Sequence, residues 1–360
     1  MIPIAQPQLG VEEMLKVVEV INSGMLAAGS YVKEFEREFA RYHNIKHAVA
    51  TSSGTAALHA ILQALGISKG DKVLTTPFSF VASANSIIYC GARPVFVDID
   101  AESYSISPQA LAQAIKDNPD AKALLLVHIF GQPAEMDEIV QLAKGNKLLL
   151  IEDCAQAHGA SYEGKKVGTF GDAAAFSFYP TKNITCGEGG MVITDREDVA
   201  HRVRMFINHG QRERYHHESL GYNFRMTNIH AAIGIEQLKK LNHFNQKRIE
   251  NAEYYLKEIK NPEIKLPSPS VKGTHVYHQF TIQVNQRDAF IAYLKNQGIG
   301  CAVHYPIIIP KQKLYREKLA YTGSWPVAEQ LAKRCVSIPI HPGVSPQQRK
   351  YIAEVVDNYG

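Results

Sequence analysis

The pattern of apolar positions changes character near Thr227. Before it, the chain opens with two segments that read as helices, residues 10–22 and 31–41; in the second, Phe35 and Phe39 lie four apart on one face. From Ala48 onward, short apolar runs alternate with helical ones. The pattern predicts strands over residues 48–51, 72–76, 94–98, 123–128, 147–152, 173–178 and 191–194. Helices are predicted between several of them, over 55–65, 81–89, 108–116 and 135–143. The run Ala123-Leu124-Leu125-Leu126-Val127 is apolar at every position, so it needs cover on both faces. A mostly parallel sheet between helices provides that cover.

After Thr227 a long helical run reaches residue 241, and a more polar helix follows over 245–259. The stretch Asn261-Pro262-Glu263-Ile264-Lys265-Leu266-Pro267-Ser268-Pro269-Ser270 is the clearest punctuation in the chain. Beyond it, strands are predicted over 278–284 and 300–304, with helices over 288–297 and 346–358. The expected organisation is a large α/β domain, residues 1–245, followed by a smaller α+β domain, residues 246–360. No internal repeat or low-complexity tract interrupts it.

Composition narrows the field. The 360 residues are 45% hydrophobic and 21% charged, ordinary for a globular protein. A formal net charge of +4 is small for this length and argues for neither nucleic acid nor a membrane surface. No stretch approaches the roughly 20 apolar residues of a membrane span. The N-terminus lacks a basic start and apolar core, so a cytoplasmic location is expected. The five cysteines are scattered without metal-ligand spacing, which suits reduced thiols.

Three sites along the chain carry the chemistry. In Ser52-Ser53-Gly54-Thr55, a strand feeds a polar turn and then a helix. Unpaired amides and the positive helix end would suit a phosphate, although by itself the turn reads more simply as an ordinary N-cap. In Glu152-Asp153-Cys154-Ala155-Gln156, Asp153 ends the apolar run 147–152, where α/β sheets place ligand-facing groups. A turn or cap role would also fit it. Lys182 lies in Ser177-Phe178-Tyr179-Pro180-Thr181-Lys182-Asn183, flanked by polar Ser177 and Asn183 and followed by Gly187 and Gly189-Gly190. Taken alone it could be a solvated lysine. Phosphate cradle, carboxylate and lysine in this order meet the needs of pyridoxal 5'-phosphate (PLP). The cofactor requires an anion site, a carboxylate against its pyridine nitrogen and a lysine able to form a Schiff base. Gln156 is placed to donate to the ring's phenolic oxygen.

Two other features stay open. The stretch His209-Gly210-Gln211-Arg212-Glu213-Arg214-Tyr215-His216-His217 reads either as a substrate-contact loop, with Arg212 suited to a diphosphate, or as a solvated loop. A zinc reading of the paired histidines lacks a third ligand, and no metal is expected. Cys186 reads as a packed small residue.

In these motifs the chain resembles the PLP-dependent nucleotide-sugar aminotransferases, the DegT/DnrJ/StrS family with the aspartate aminotransferase fold (PLP-dependent transferase fold type I). The resemblance also rests on Pro77-Phe78-Ser79-Phe80-Val81-Ala82, Gly91-Ala92-Arg93-Pro94-Val95-Phe96-Val97-Asp98, Gly187-Glu188-Gly189-Gly190 and Gly221-Tyr222-Asn223-Phe224-Arg225-Met226. It covers nearly the whole chain from Gly29. It implies that Phe80 stacks on the cofactor ring and that Ser53, Gly54, Thr55 and Ser177 hold its phosphate. It further implies that Asn223 reaches that phosphate from the neighbouring subunit of a homodimer with shared active sites. His304 and Tyr305 are expected near the sugar, with Arg225 and Arg212 as further candidates for substrate contact. Relatives usually continue from that Tyr-Pro through a spacer to a His; here the chain reads Pro306-Ile307-Ile308-Ile309-Pro310.

The implied reaction moves an amino group from an amino acid, with L-glutamate the expected donor, through PLP and pyridoxamine 5'-phosphate onto a keto-sugar nucleotide for polysaccharide, glycan or amino-sugar synthesis. A 4-keto-6-deoxy sugar leads and a 3-keto sugar is the alternative. A sugar dehydratase on the same scaffold would lack the lysine, which is present here. A non-catalytic, PLP-binding regulatory protein is the competing reading from another class.

Overall fold

A computed structural model describes all residues 1–360. The central sheet holds β1 (His47–Thr51), β2 (Lys72–Thr75), β3 (Arg93–Phe96), β4 (Ala121–Val127) and β5 (Leu149–Asp153). A short pair, β6 (Ser161–Tyr162) and β7 (Lys165–Lys166), stands apart; β8 (Ala173–Ser177) and β9 (Gly190–Thr194) complete the sheet in the order β1-β9-β8-β5-β4-β2-β3. Only β9 runs against its neighbours, so the sheet is mostly parallel.

Side chains along β4 alternate between two separate cores, as a period of two demands. Ala123, Leu125 and Val127 join the cluster built with α3 (Gly54–Ala64), α4 (Ala82–Tyr89) and α7 (Glu197–Phe206). Leu124 and Leu126 join the opposite one with α5 (Pro108–Asp117) and α6 (Met136–Gly145). On that latter face of the sheet, Phe39 of α2 (Ser30–His43) packs edge-on against Phe176 and Phe178, and Phe35 packs at a tilt against Phe178. Helix α1 (Val11–Ser23) lies along α8 (Asn228–Glu258). An exposed hairpin, β10 (Gln211–Glu213) and β11 (His216–His217), precedes α8.

The smaller unit is an antiparallel sheet, β12 (Ile264–Lys265), β14 (Phe280–Val284) and β15 (Cys335–Ile338), in the order β12-β14-β15. Its core joins α9 (Arg287–Asn296), α11 (Pro346–Asp357) and the end of α8 around Tyr255, Phe280 and Phe290. The two-residue β13 (Gly273–Thr274) crosses back to pair with β6. Helix α10 (Pro326–Arg334) docks on the large core through Ala328 and Leu331. No helix is long and apolar enough to cross a membrane.

The elements differ from the pattern-based expectation in several places. The two helices expected over 227–241 and 245–259 are one 31-residue helix, α8. Its buried stripe runs on through Leu238, Leu241, Asn245, Arg248 and Tyr255, and the exposed polar Asn242 and His243 do not interrupt it. The expected division at residue 245 therefore falls inside a continuous helix. The strand expected over 300–304 reduces to one backbone bridge, Ala302 with Ser337. Helices α7 and α10 and strand β15 have no counterpart in the expectation.

Candidate active site

A cavity of about 580 Å³ opens at the C-terminal ends of β5 and β8. That is ample for a cofactor and part of a substrate. It gathers Ser53, Gly54, Thr55, Phe80, Asp153, Gln156, Ser177, Lys182, His304 and Tyr305, residues spread over more than 250 positions of sequence.

The first wall is the start of α3. Ser53 caps the helix, its hydroxyl accepting from the Ala56 amide at 3.1 Å. The amides of Gly54 and Thr55 find no acceptor in the protein, leaving two donors and the helix dipole directed at one spot. Gly54 is required by space: a Cβ there would stand 2.7 Å from that of Ser177. Strand β8 therefore brings the Ser177 hydroxyl against the helix start.

The second wall is the end of β5. Asp153 is 4% exposed. It accepts from the Ser83 hydroxyl at 2.8 Å and the Ala155 amide at 3.0 Å, and Ser79 is hydrogen-bonded to Ser83 at 2.9 Å. Burial pushes its carboxyl above the ordinary range, against the pull of Ser83, the Ala155 amide and Lys182. Lys182 sits in the turn after β8, its amide held by the Tyr179 carbonyl at 2.9 Å. Burial brings its amine down to about 8, opposed by Asp153. Its neighbour Asn183 anchors the turn to α8, donating to Asn245 at 2.8 Å. Phe80 lies at the mouth with its ring exposed.

The third wall belongs to the segment after α9. Gln156 accepts from the Phe130 amide at 2.7 Å, which fixes its amide nitrogen toward the Tyr305 hydroxyl at 3.0 Å. One of the Gln156 hydrogens is thus committed to Tyr305. His304 faces the cavity, and its Nδ1 lies 3.0 Å from the Ser337 hydroxyl. Burial, aided by the Lys182 charge, brings the imidazole down to about 4, so it is neutral at physiological pH.

Three candidates do not border this cavity within one chain. Arg212 is exposed on β10 and pairs with Glu218. Arg225 donates to Asn208 at 2.6 Å, and the exposed Asn223 meets Asn208 through the backbone. His216 and His217 lie on the same exposed hairpin. Ser79 and Ser83, four apart where α4 begins, escape the sequence reading; their helical spacing was the available signal.

His128, Glu152 and Cys154 also lie together, fully buried. Both Glu152 oxygens are already filled: Oε2 by His128 and the Gly168 amide, Oε1 by the amides of Phe170 and Gly171. His128 Nδ1 accepts from the Ala134 amide, so Nε2 carries its hydrogen. That leaves the Cys154 thiol alone, too few ligands for an ion.

The sequence profile of the DegT/DnrJ/EryC1/StrS aminotransferase family matches residues 7–357, and the chain belongs to that family. Among curated relatives, a pleiotropic regulatory protein of Geobacillus stearothermophilus is 38% identical over 356 residues, 98% of this chain and 95% of that one. A dTDP-3-amino-3,6-dideoxy-alpha-D-galactopyranose transaminase of Aneurinibacillus thermoaerophilus is 40% identical over 342 residues, 95% and 93% of the two chains. Spr1654 of Streptococcus pneumoniae in its PLP-form superposes with a TM-score of 0.92 at 27% identity, covering 99% of this chain and 97% of that one. Family and neighbour imply PLP or its amine form as cofactor. The residues fit that group: two amides without acceptors and a helix dipole for a phosphate, a buried acceptor-only carboxylate, and a lysine whose amine is easily made neutral.

Proposed function

We propose that this chain is a PLP-dependent aminotransferase that moves an amino group from an amino acid, with L-glutamate the expected donor, onto the ketone of a nucleotide sugar. The observation that carries the reading is the meeting of Lys182, Asp153 and the amide-rich start of α3 in one cavity. When bound, PLP supplies an electron sink that lets a proton leave the carbon bearing the amine.

The chain's own residues do the rest. The amides of Gly54 and Thr55, with Ser53 and Ser177, would hold the phosphate by charge-assisted hydrogen bonds. Asp153 would favour a positive charge on the ring nitrogen, and Ser83 fixes the orientation of its carboxylate. Lys182 Nζ, with a pKa brought down to about 8, has enough of its free base near neutral pH to take the donor's α-proton and return it elsewhere. Phe80, exposed at the mouth, would cover one face of the ring, and His304 and Tyr305 would line the sugar's side.

Asn223 and Arg225, which stand off the cavity in their own chain, complete the site of a second copy in a homodimer. Exposed apolar residues of α1, namely Val11, Met14, Leu15, Val18 and Ile21, support such a partner. Mixing Lys182→Ala subunits with Asn223→Asp subunits should then restore activity through one intact site per heterodimer. No recovery would remove the shared site.

The test of the function is a panel of 3-keto and 4-keto nucleotide sugars with L-glutamate as donor, followed by release of 2-oxoglutarate. Amination of one panel member is the expected result. The 40% identical transaminase of a 3-amino sugar gives the 3-keto arm its own support. The relative described as a pleiotropic regulator keeps a second reading in play. A protein that binds PLP at Lys182 yet turns over no panel member and converts no amino donor would favour it.

A further inference from the structure

His304 has a hydrogen-bond direction that its surroundings decide. Its Nδ1 lies 3.0 Å from Ser337 Oγ, and Ser337 Oγ lies 2.9 Å from Thr281 Oγ1. Ser337 is fully buried on β15 and Thr281 is 1% exposed on β14. Neither hydroxyl has another side-chain or backbone partner.

If His304 carried its hydrogen on Nδ1, it would donate to Ser337. Whether Ser337 then donated to Thr281 or Thr281 to Ser337, one buried hydroxyl hydrogen of the pair would be left with no acceptor, which proteins rarely tolerate. If Thr281 donates to Ser337 and Ser337 donates to His304 Nδ1, every hydrogen in the chain is used. That arrangement puts the imidazole hydrogen on Nε2. His304 Nε2 meets no acceptor in the protein, and the ring lines the cavity. On the same side, Tyr305 receives a hydrogen from Gln156, which frees its own hydroxyl hydrogen for the cavity.

We propose that Ser337 and Thr281 are positioning residues that hold His304 in its Nε2–H tautomer, so that a neutral N–H donor meets an oxygen of the keto-sugar. The substrate half of this rests on the function proposed above; the tautomer half does not. A hydroxyl pair on the small sheet thereby sets the polarity of a group in the cleft. A donor recognises a ketone or hydroxyl oxygen, whereas the Nδ1–H form would offer the sugar only a lone pair.

The test begins with the wild-type protein labelled with ¹⁵N-histidine, without substrate, where ring-nitrogen shifts and couplings report the tautomer; His304→Gln identifies the signal. Nε2–H at His304 is expected, and Nδ1–H would overturn the proposal. The two half-reactions are then followed separately in Ser337→Ala, Thr281→Val and Thr281→Ser. Loss of one hydrogen bond predicts about a tenfold rise in KM for the sugar in Ser337→Ala, and a similar or smaller rise in Thr281→Val. The amino-acid half-reaction should stay unchanged, and Thr281→Ser should behave as wild type. Equal loss in both half-reactions, or no change in either variant, would contradict the assignment. If the wild type aminates no keto-sugar, the proposed function fails by that result, while the ¹⁵N spectrum still decides the tautomer.

Discussion

Glu152 and Asp153 are adjacent carboxylates at the end of β5, and they do opposite things. Successive strand residues point to opposite sides of the sheet. Glu152 turns inward to His128 and the amides of Gly168, Phe170 and Gly171, four donors in all. Asp153 turns to the cavity with two, Ser83 and the Ala155 amide. Burial opposes ionisation at both. At Glu152 the His128 and amide donors outweigh it and hold the carboxyl below its ordinary range; at Asp153 burial wins and the carboxyl rises. A saturated carboxylate holds the loop after β7 in place. An unsaturated one keeps acceptor capacity for something outside the protein. The number of donors each finds, rather than depth alone, separates structure from chemistry on the two sides of one strand.

The contrast is open to mutation. The largest effect belongs to the cavity side: Lys182→Ala should lower transamination by about 10³-fold or more, since it removes both covalent attachment and the proton carrier. Its circular dichroism and thermal midpoint should remain near wild type. Asp153→Asn should cost about 10²-fold or more in turnover, because an amide cannot support a charged ring nitrogen. The cofactor-free variant should be as stable as wild type or more so. Glu152→Gln should leave at least one buried N–H facing an amide nitrogen and destabilise the fold by about 3 kcal/mol in chemical denaturation.

A pH series on the cofactor-free protein sharpens the comparison further. A carboxyl lowered by folding, as at Glu152, contributes stability above its unfolded pKa that is lost as pH falls through the folded one. A carboxyl raised by folding, as at Asp153, has the reverse sign: its cost grows as pH climbs through the range between the two values. Glu152→Gln should therefore flatten the acid limb of stability, and Asp153→Asn should flatten the decline above it. Parallel limbs in both variants would erase the distinction.

How much of the molecule is legible in its sequence follows from where each contact partner lies along the chain. Strand ends and helix starts are local, so Asp153 and the Ser52-Ser53-Gly54-Thr55 turn can be located from their immediate neighbours, although their chemistry is legible only when they are taken together with Lys182. Lys182 takes its meaning from the residues around it. The run Ala123-Leu124-Leu125-Leu126-Val127 announces a sheet covered on both faces, and the two cores meet it on alternate residues. What stays hidden depends on distant partners. Ser337 acts on His304 from 33 positions away, and Gln156 meets Tyr305 across 149. No periodicity encodes such pairs. The unbroken α8 escapes the pattern because exposed Asn242 and His243 read as a stop, while the buried stripe on the other side of the helix continues.

The most direct measurement is borohydride reduction of the PLP-loaded protein, followed by peptide mass spectrometry of the modified lysine. Phosphopyridoxyl label on the peptide containing Lys182, with loss of the visible absorbance and no label in Lys182→Ala, is the predicted result. Label on any other lysine, or PLP retained and reducible in Lys182→Ala, would contradict the assignment of this cavity as the cofactor site.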